Sequence, residues 1–162
     1  MNFSKSAVVS LLLQATILFL FFPSNVVTGQ SQKADTIAHE IKEALRLETQ
    51  YFYQRDITKW EGQWSHGPFV MKCYIRDGEY LEQLGWPVIR QSAKDYMKAH
   101  PEPEQAPTYI PEYEIEVFGK SAFVSYIQQP DAKGVRKREI RLMVREEGKW
   151  KIGYMSTNYF TD

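Results

Sequence analysis

From Tyr113 to Phe160 the chain alternates apolar and polar positions with the two-residue period of half-buried strands. Tyr113, Ile115 and Val117 alternate with Glu114, Glu116 and Phe118, and Ala122, Val124 and Tyr126 with Phe123, Ser125 and Ile127. Ile140, Leu142 and Val144 alternate with Glu139, Arg141 and Arg145, and Trp150, Ile152 and Tyr154 with Lys149, Lys151 and Gly153. Gly119-Lys120 suits a two-residue type II′ hairpin turn, with glycine first. Asp131-Ala132-Lys133-Gly134 and Glu147-Gly148 supply the other turns. The pattern predicts four strands in a curved antiparallel sheet. Both faces carry bulky side chains, so one face is left without an intrachain partner, around Phe123, Ile127, Met143 and Met155.

Upstream, the period lengthens to that of a helix. Ile37, Ile41, Ala44, Leu45 and Phe52 form one stripe of a helix over 33–55, with Lys42, Glu43, Arg46 and Glu48 off the stripe. Asp56 is placed to cap a short second helix, Ile57 to Ser65, on which Trp60 and Trp64 share a face. Gly67-Pro68 stops it. Phe69 to Ile75 reads as a strand, Arg76-Asp77-Gly78 as a turn, and Glu79 to Leu84 as loop or short turn. Gly85 precedes a further amphipathic helix carrying Trp86, Ile89, Ala93, Tyr96 and Met97. Four prolines in 100–111 make a stiff surface connection, not a domain linker.

Residues 1–29 read as a signal peptide: Lys5, an apolar stretch from Ala7 to Phe22, Pro23, and small residues in Val27-Thr28-Gly29 before Gln30. The rival is an uncleaved anchor, but sixteen helical residues span about 24 Å against a hydrocarbon core of about 30 Å. A single domain over 30–162, periplasmic or secreted, is expected. The chain carries no net formal charge. Removing 1–29, which holds Lys5 and no acid, leaves −1, a balance that does not favour nucleic acid or an anionic membrane. Cys73 is the sole cysteine, so no internal disulfide forms. Within its apolar run it reads as a small buried hydrophobe, with a reactive thiol as the alternative.

No metal-ligand spacing, Gly-rich phosphate loop or nucleophile elbow occurs, so neither metal nor cofactor is expected. Two readings of the candidate site follow from the residues. In the first, Trp60, Trp64, Tyr74, Trp86, Tyr96, Tyr126 and Tyr154 line an apolar pocket with a few polar tips; equally, they fill a core. In the second, general acid–base chemistry uses His66 as base, Tyr53 or Tyr126 as donor to an oxyanion, and Asp56 as orienter. His66 has a bland alternative beside a helix C-terminus, and Asp56 has one as a cap.

The order of elements resembles the NTF2-like (SnoaL-like, cystatin-like) fold over roughly residues 34–160. Three stretches carry the likeness: Arg55-Asp56-Ile57-Thr58-Lys59-Trp60 at the helix junction, Gly85-Trp86-Pro87-Val88-Ile89-Arg90 at a helix start, and Glu147-Gly148-Lys149-Trp150-Lys151-Ile152 at the last turn. The resemblance implies an α+β cone, with a cavity between curved sheet and about three helices, and a homodimer packed through the sheet. Members include isomerases, cyclases and dehydratases as well as non-catalytic binding modules, so fold does not decide function. Isomerase-type members place an acid on the first strand. Here that strand has none, since Asp77 falls in the turn after it.

Overall fold

The computed structural model describes residues 25–109, 111–129 and 134–160. The elements are α1 (Asn25–Tyr53), α2 (Ile57–Glu61), β1 (Met71–Arg76), β2 (Glu79–Leu84), α3 (Trp86–Ala99), β3 (Glu114–Phe118), β4 (Ser121–Gln128), β5 (Arg136–Glu146) and β6 (Lys149–Phe160). Backbone contacts divide the chain into a unit ending at Thr36 and a unit from Ile37 to Asp162. The described part of the first unit is the opening of α1. Up to residue 24 the expected signal peptide lies outside the described residues, as does the turn Asp131-Ala132-Lys133.

Six strands form one sheet in the order β2-β1-β6-β5-β4-β3. The meander β3 to β6 is antiparallel, as its alternation predicts. The sheet as a whole is mixed, because β1 pairs with β6 in parallel. The long connection containing α3 carries the chain from β2 at one edge to β3 at the opposite edge, where it runs in the same direction as β2. Two hairpins close on type I′ turns: Asp77 and Gly78 have φ of 52° and 80°, and Glu147 and Gly148 have 51° and 81°. Both central residues of such a turn need positive φ, which only glycine adopts freely.

Glu79 to Leu84, expected to be loop or short turn, is an edge strand paired with β1. With one neighbour and exposure over most of its length, it has no reason to alternate, and the I′ turn sets its pairing instead. The second helix is shorter than expected. Asp56 caps it, accepting from the Lys59 N–H at 3.1 Å, but the helix ends at Glu61. Trp64 then lies in a backbone bridge to β6, where Ser65 N–H donates to Ile152 O and Ile152 N–H to Gln63 O, both at 2.9 Å.

The register assigns each strand residue a face. Tyr126, Val124 and Ala122 lie opposite Glu139, Arg141 and Met143, and Glu139 and Arg141 lie opposite Thr157 and Met155. Lys72 and Tyr74 continue this face across the parallel pair, opposite Met155 and Thr157. Its core joins Ile41 and Leu45 of α1, Trp60 of α2 and Ile89 of α3 to Val124, Met143 and Ile152. The other face carries Phe123, Leu142, Ile140 and Tyr154. Met143 and Met155, expected there, turn inward and are buried. The cause is the parity of β5 together with a bulge between Leu142 and Met143, which shifts the pairing with β6 by one residue.

Candidate functional site

The helix-covered face is not a purely apolar core. Glu48, Lys72, Glu139 and Arg141 are all buried there. Glu48 sits on the inner stripe of α1, four residues from Ala44 and four from Phe52, and accepts from the Trp60 indole N–H at 2.8 Å. Glu139 and Arg141 stand two apart on β5, each 3% exposed. Arg141 Nη1 donates to Glu139 Oε2 at 2.6 Å, Thr157 Oγ1 to the same oxygen at 2.8 Å, and Gln128 Nε2 to Oε1 at 3.2 Å. Burial works against the charge of Arg141, but Glu139, by charge and hydrogen bond, together with Tyr126 and Glu48 more than offsets it and holds the guanidinium charged.

Lys72 differs from the other three. It is 9% exposed, and no described residue forms a hydrogen bond or ion pair with its ammonium. Its Nζ lies 5.7 Å from the ring centre of Phe52, 6.0 Å from that of Trp60 and 5.3 Å from that of Tyr74, within cation–π range of all three. Burial pushes its pKa below the usual lysine range; Glu48 opposes that shift and Arg141 adds to it. The hydroxyls of Tyr74 and Tyr126 also have no hydrogen-bond partner among the described residues. Burial raises both phenols above the ordinary tyrosine value, so both remain protonated donors. Tyr126 packs against Tyr113, with ring centres 4.9 Å apart, and under the Arg141 guanidinium at 5.8 Å.

Of the aromatic residues expected to line a pocket, Trp60, Trp64 and Trp86 form a chain of ring contacts, with centres 5.5 Å and 5.9 Å apart, and all three are buried. Tyr74 and Tyr126 reach the charged group. Tyr96 stacks on Phe52 at 5.3 Å and on His100 at 4.5 Å, toward solvent. Tyr154 falls on the opposite face, because it pairs with Leu142 and Met71 in the register; its hydroxyl lies 3.4 Å from Cys73 Sγ. Cys73 itself is buried and unpaired.

The acid–base set does not converge. His66 is exposed, stacks on Trp86 at 4.2 Å and places Nε2 2.9 Å from Glu61 O, at the end of α2. Asp56 is occupied as the cap and by Lys59, whose hydrogen bond holds its carboxyl below the usual range. Tyr53 is half-buried, its phenol raised by burial and by Glu104. Sequence reasoning missed Glu48, Lys72, Glu139 and Arg141. The available signal was a lysine in the middle of the apolar run Phe69 to Ile75, and a Glu-x-Arg pair on the parity that pairs with Tyr126 and Val124.

Two shallow surface depressions lie elsewhere. One, of about 550 Å³, is bounded by Pro87, Val88, Gln91, Ser92 and Asp95 of α3. The other, of about 460 Å³, includes Tyr113, Tyr126, Ser125 and Arg138 and reaches the charged group only through Tyr126. No group of described residues could hold a metal ion, and none of the described helices is long and apolar enough to cross a membrane.

No protein-family model matches the sequence, and no curated protein is similar to it. Solved structures do match. An NTF2-like protein of unknown function from Shewanella oneidensis aligns with TM-score 0.56 at 14% identity, over 75% of this chain and 98% of its own. A cystatin-like fold protein from Burkholderia xenovorans aligns with TM-score 0.60 at 19% identity, over 78% and 94%. A candidate dehydratase of the NTF2-like family from Streptomyces avermitilis aligns with TM-score 0.61 at 13% identity, over 80% and 99%. The chain has the NTF2-like, or cystatin-like, α+β fold. At these identities the likeness is one of fold.

Proposed function

We propose that this chain is an exported binding module that holds a small organic ligand on the helix-covered face of its sheet and pairs with a second copy through the open face. The observation that carries the first part is Lys72, buried against Phe52, Trp60 and Tyr74 with no partner for its ammonium. A buried cation without a hydrogen bond costs stability, and a bound ligand would recover that cost. Screening small aromatic compounds by thermal denaturation tests it, since a ligand of the native state raises Tm by mass action. A Tm and an amide NMR spectrum unmoved by every compound overturn the reading.

Pairing is supported by the open face, where Phe123 is 42% and Leu142 40% exposed beside Phe118 and Ile140. Light scattering is expected to give twice the chain mass, and export is expected to leave a mature chain beginning at Gln30. A second reading, an isomerase, cyclase or dehydratase, draws on Glu48 and Glu139 buried among the protonated phenols of Tyr74 and Tyr126. The two readings separate by recovering the ligand after incubation: a binding module returns it unchanged.

A further inference from the structure

The charged group has a surplus of hydrogen-bond donors. Both oxygens of Glu139 are taken, by Arg141, Thr157 and Gln128, and one oxygen of Glu48 is taken by Trp60. Against the one remaining Glu48 oxygen stand the Lys72 ammonium, the Tyr74 and Tyr126 hydroxyls, and two nitrogens of Arg141. Of these two, Nη2 has no hydrogen-bond partner among the described residues, and Nε is buried with no partner at all. Ammonium, guanidinium and phenol offer three, five and one N–H or O–H donors respectively, so several donors are left with nothing to bind. Of these donors Arg141 Nε is the one wholly shut off from solvent and unsatisfied, which is costly, and a ligand that brings acceptors would meet the donors around it. Lys72, Tyr74 and Tyr126 each feel the charges of Glu48, Glu139 and Arg141, so the groups share one neighbourhood.

Resting on the binding reading above, we propose that the ligand is a small monocarboxylate, its carboxylate seated between the Lys72 ammonium and the Arg141 guanidinium and its flat apolar body lying against the half-buried rings of Phe52 and Tyr74. The two acids and two bases already present balance in charge, so the free donors, and not a charge deficit, call for the carboxylate; a monoanion adds one buried negative charge, whereas a dianion such as phosphate would add two. The aromatic walls select a body with a ring or a conjugated plane.

The test is isothermal titration of the full chain with benzoate, phenylacetate and indole-3-acetate, each paired with its primary amide, and with inorganic phosphate. An amide keeps the shape and one acceptor but lacks the charge. Each carboxylate is expected to bind roughly ten- to a hundredfold more tightly than its amide, as a charge-assisted hydrogen bond exceeds a neutral one. In Lys72→Met, an apolar side chain of similar length, the preference for carboxylate over amide is expected to shrink several-fold, Arg141 still favouring the charge, and a cooperative thermal melt shows that the variant is folded. Equal binding of carboxylate and amide by the native chain overturns the carboxylate proposal and leaves the binding reading standing. A carboxylate preference undiminished in Lys72→Met overturns the seat. Phosphate binding more tightly than any carboxylate overturns the monoanion assignment, and no binding by any probe at millimolar concentration overturns both readings.

Discussion

Replacing Arg141 by methionine strands the Glu139 carboxylate. Both side chains are 3% exposed, and their contact at 2.6 Å is the one ion pair among the described residues in which both partners are buried. Thr157 and Gln128 still donate to Glu139 in the variant, so the loss falls near the lower end of the cost of breaking a buried pair, about 3 kcal/mol. That is a large part of a domain stability of about 5–15 kcal/mol. In urea it corresponds to a midpoint lowered by roughly 1–3 M. Arg141→Met combined with Glu139→Gln is expected to recover to within about 1 kcal/mol of the native chain, because glutamine keeps an acceptor for Thr157 and needs no counter-charge. Urea denaturation of the native chain and both variants at neutral pH measures both differences. A single-variant loss below about 1 kcal/mol, the size of an exposed pair, or a double variant no better than the single, refutes the reasoning.

Lys72→Met is expected to be at least as stable as the native chain at neutral pH. The folded-state pKa of Lys72 lies below its unfolded value, so the native state resists binding that proton and gains stability as pH rises toward the unfolded pKa of about 10.4; the margin of the variant over native should therefore narrow on the alkaline side, which thermal melts across pH will show. Trp60→Phe removes the indole donor to Glu48 and is expected to cost about 2–3 kcal/mol in urea denaturation. Gly85→Ala is expected to cost about 1–3 kcal/mol, because Gly85 has φ 84° and ψ 144°, while the nearest atom to a new Cβ, Pro68 O at 3.5 Å, is no closer than ordinary contact. Phe123→Glu is expected to halve the mass seen by light scattering without changing Tm by more than a few degrees; a mass unchanged by the substitution counts against pairing through the open face.

The architecture was largely legible because the residues that set it act locally. Gly119, Gly148 and Gly78 sit at turns that require positive φ, and the strands between them alternate. Asp56 announces its cap by type and position. What was not legible depends on long-range pairing. The parallel contact of β1 with β6 leaves no local mark, and β2 is an edge strand without alternation. Faces were the harder matter. In β5 the apolar parity of Ile140, Leu142 and Val144 reads as the buried one, yet Glu139 and Arg141 are the buried residues and Leu142 is exposed. Glu48 was misplaced in the same way, since charge alone assigned it to the solvent side of α1. His66 and Asp56 drew attention by residue type, whereas their neighbours in space, Trp86 and Lys59, give each a local structural role.

The inversion of β5 has a consequence of its own. A strand whose charged residues face the core and whose apolar residues face outward opposes the pattern that would bury it most favourably, and such conflicts between local pattern and global fold concentrate at functional sites. Turning Ile140, Leu142 and Val144 outward leaves an apolar strip that water penalises and a second copy could cover. Turning Glu139 and Arg141 inward places an ion pair where desolvation roughly cancels its attraction. Neither choice improves the stability of the isolated chain. Both become favourable once a partner covers one face and an acceptor-bearing ligand meets Lys72 and Arg141 on the other. The central strand thus links the two surfaces: exchanging the parity of β5, with Glu139→Leu and Arg141→Leu inside and Leu142→Lys outside, is expected to give a more stable chain that has lost both carboxylate binding and pairing. If that chain is less stable than the native one, the inverted strand is a packing requirement of the fold and not a compromise made for function.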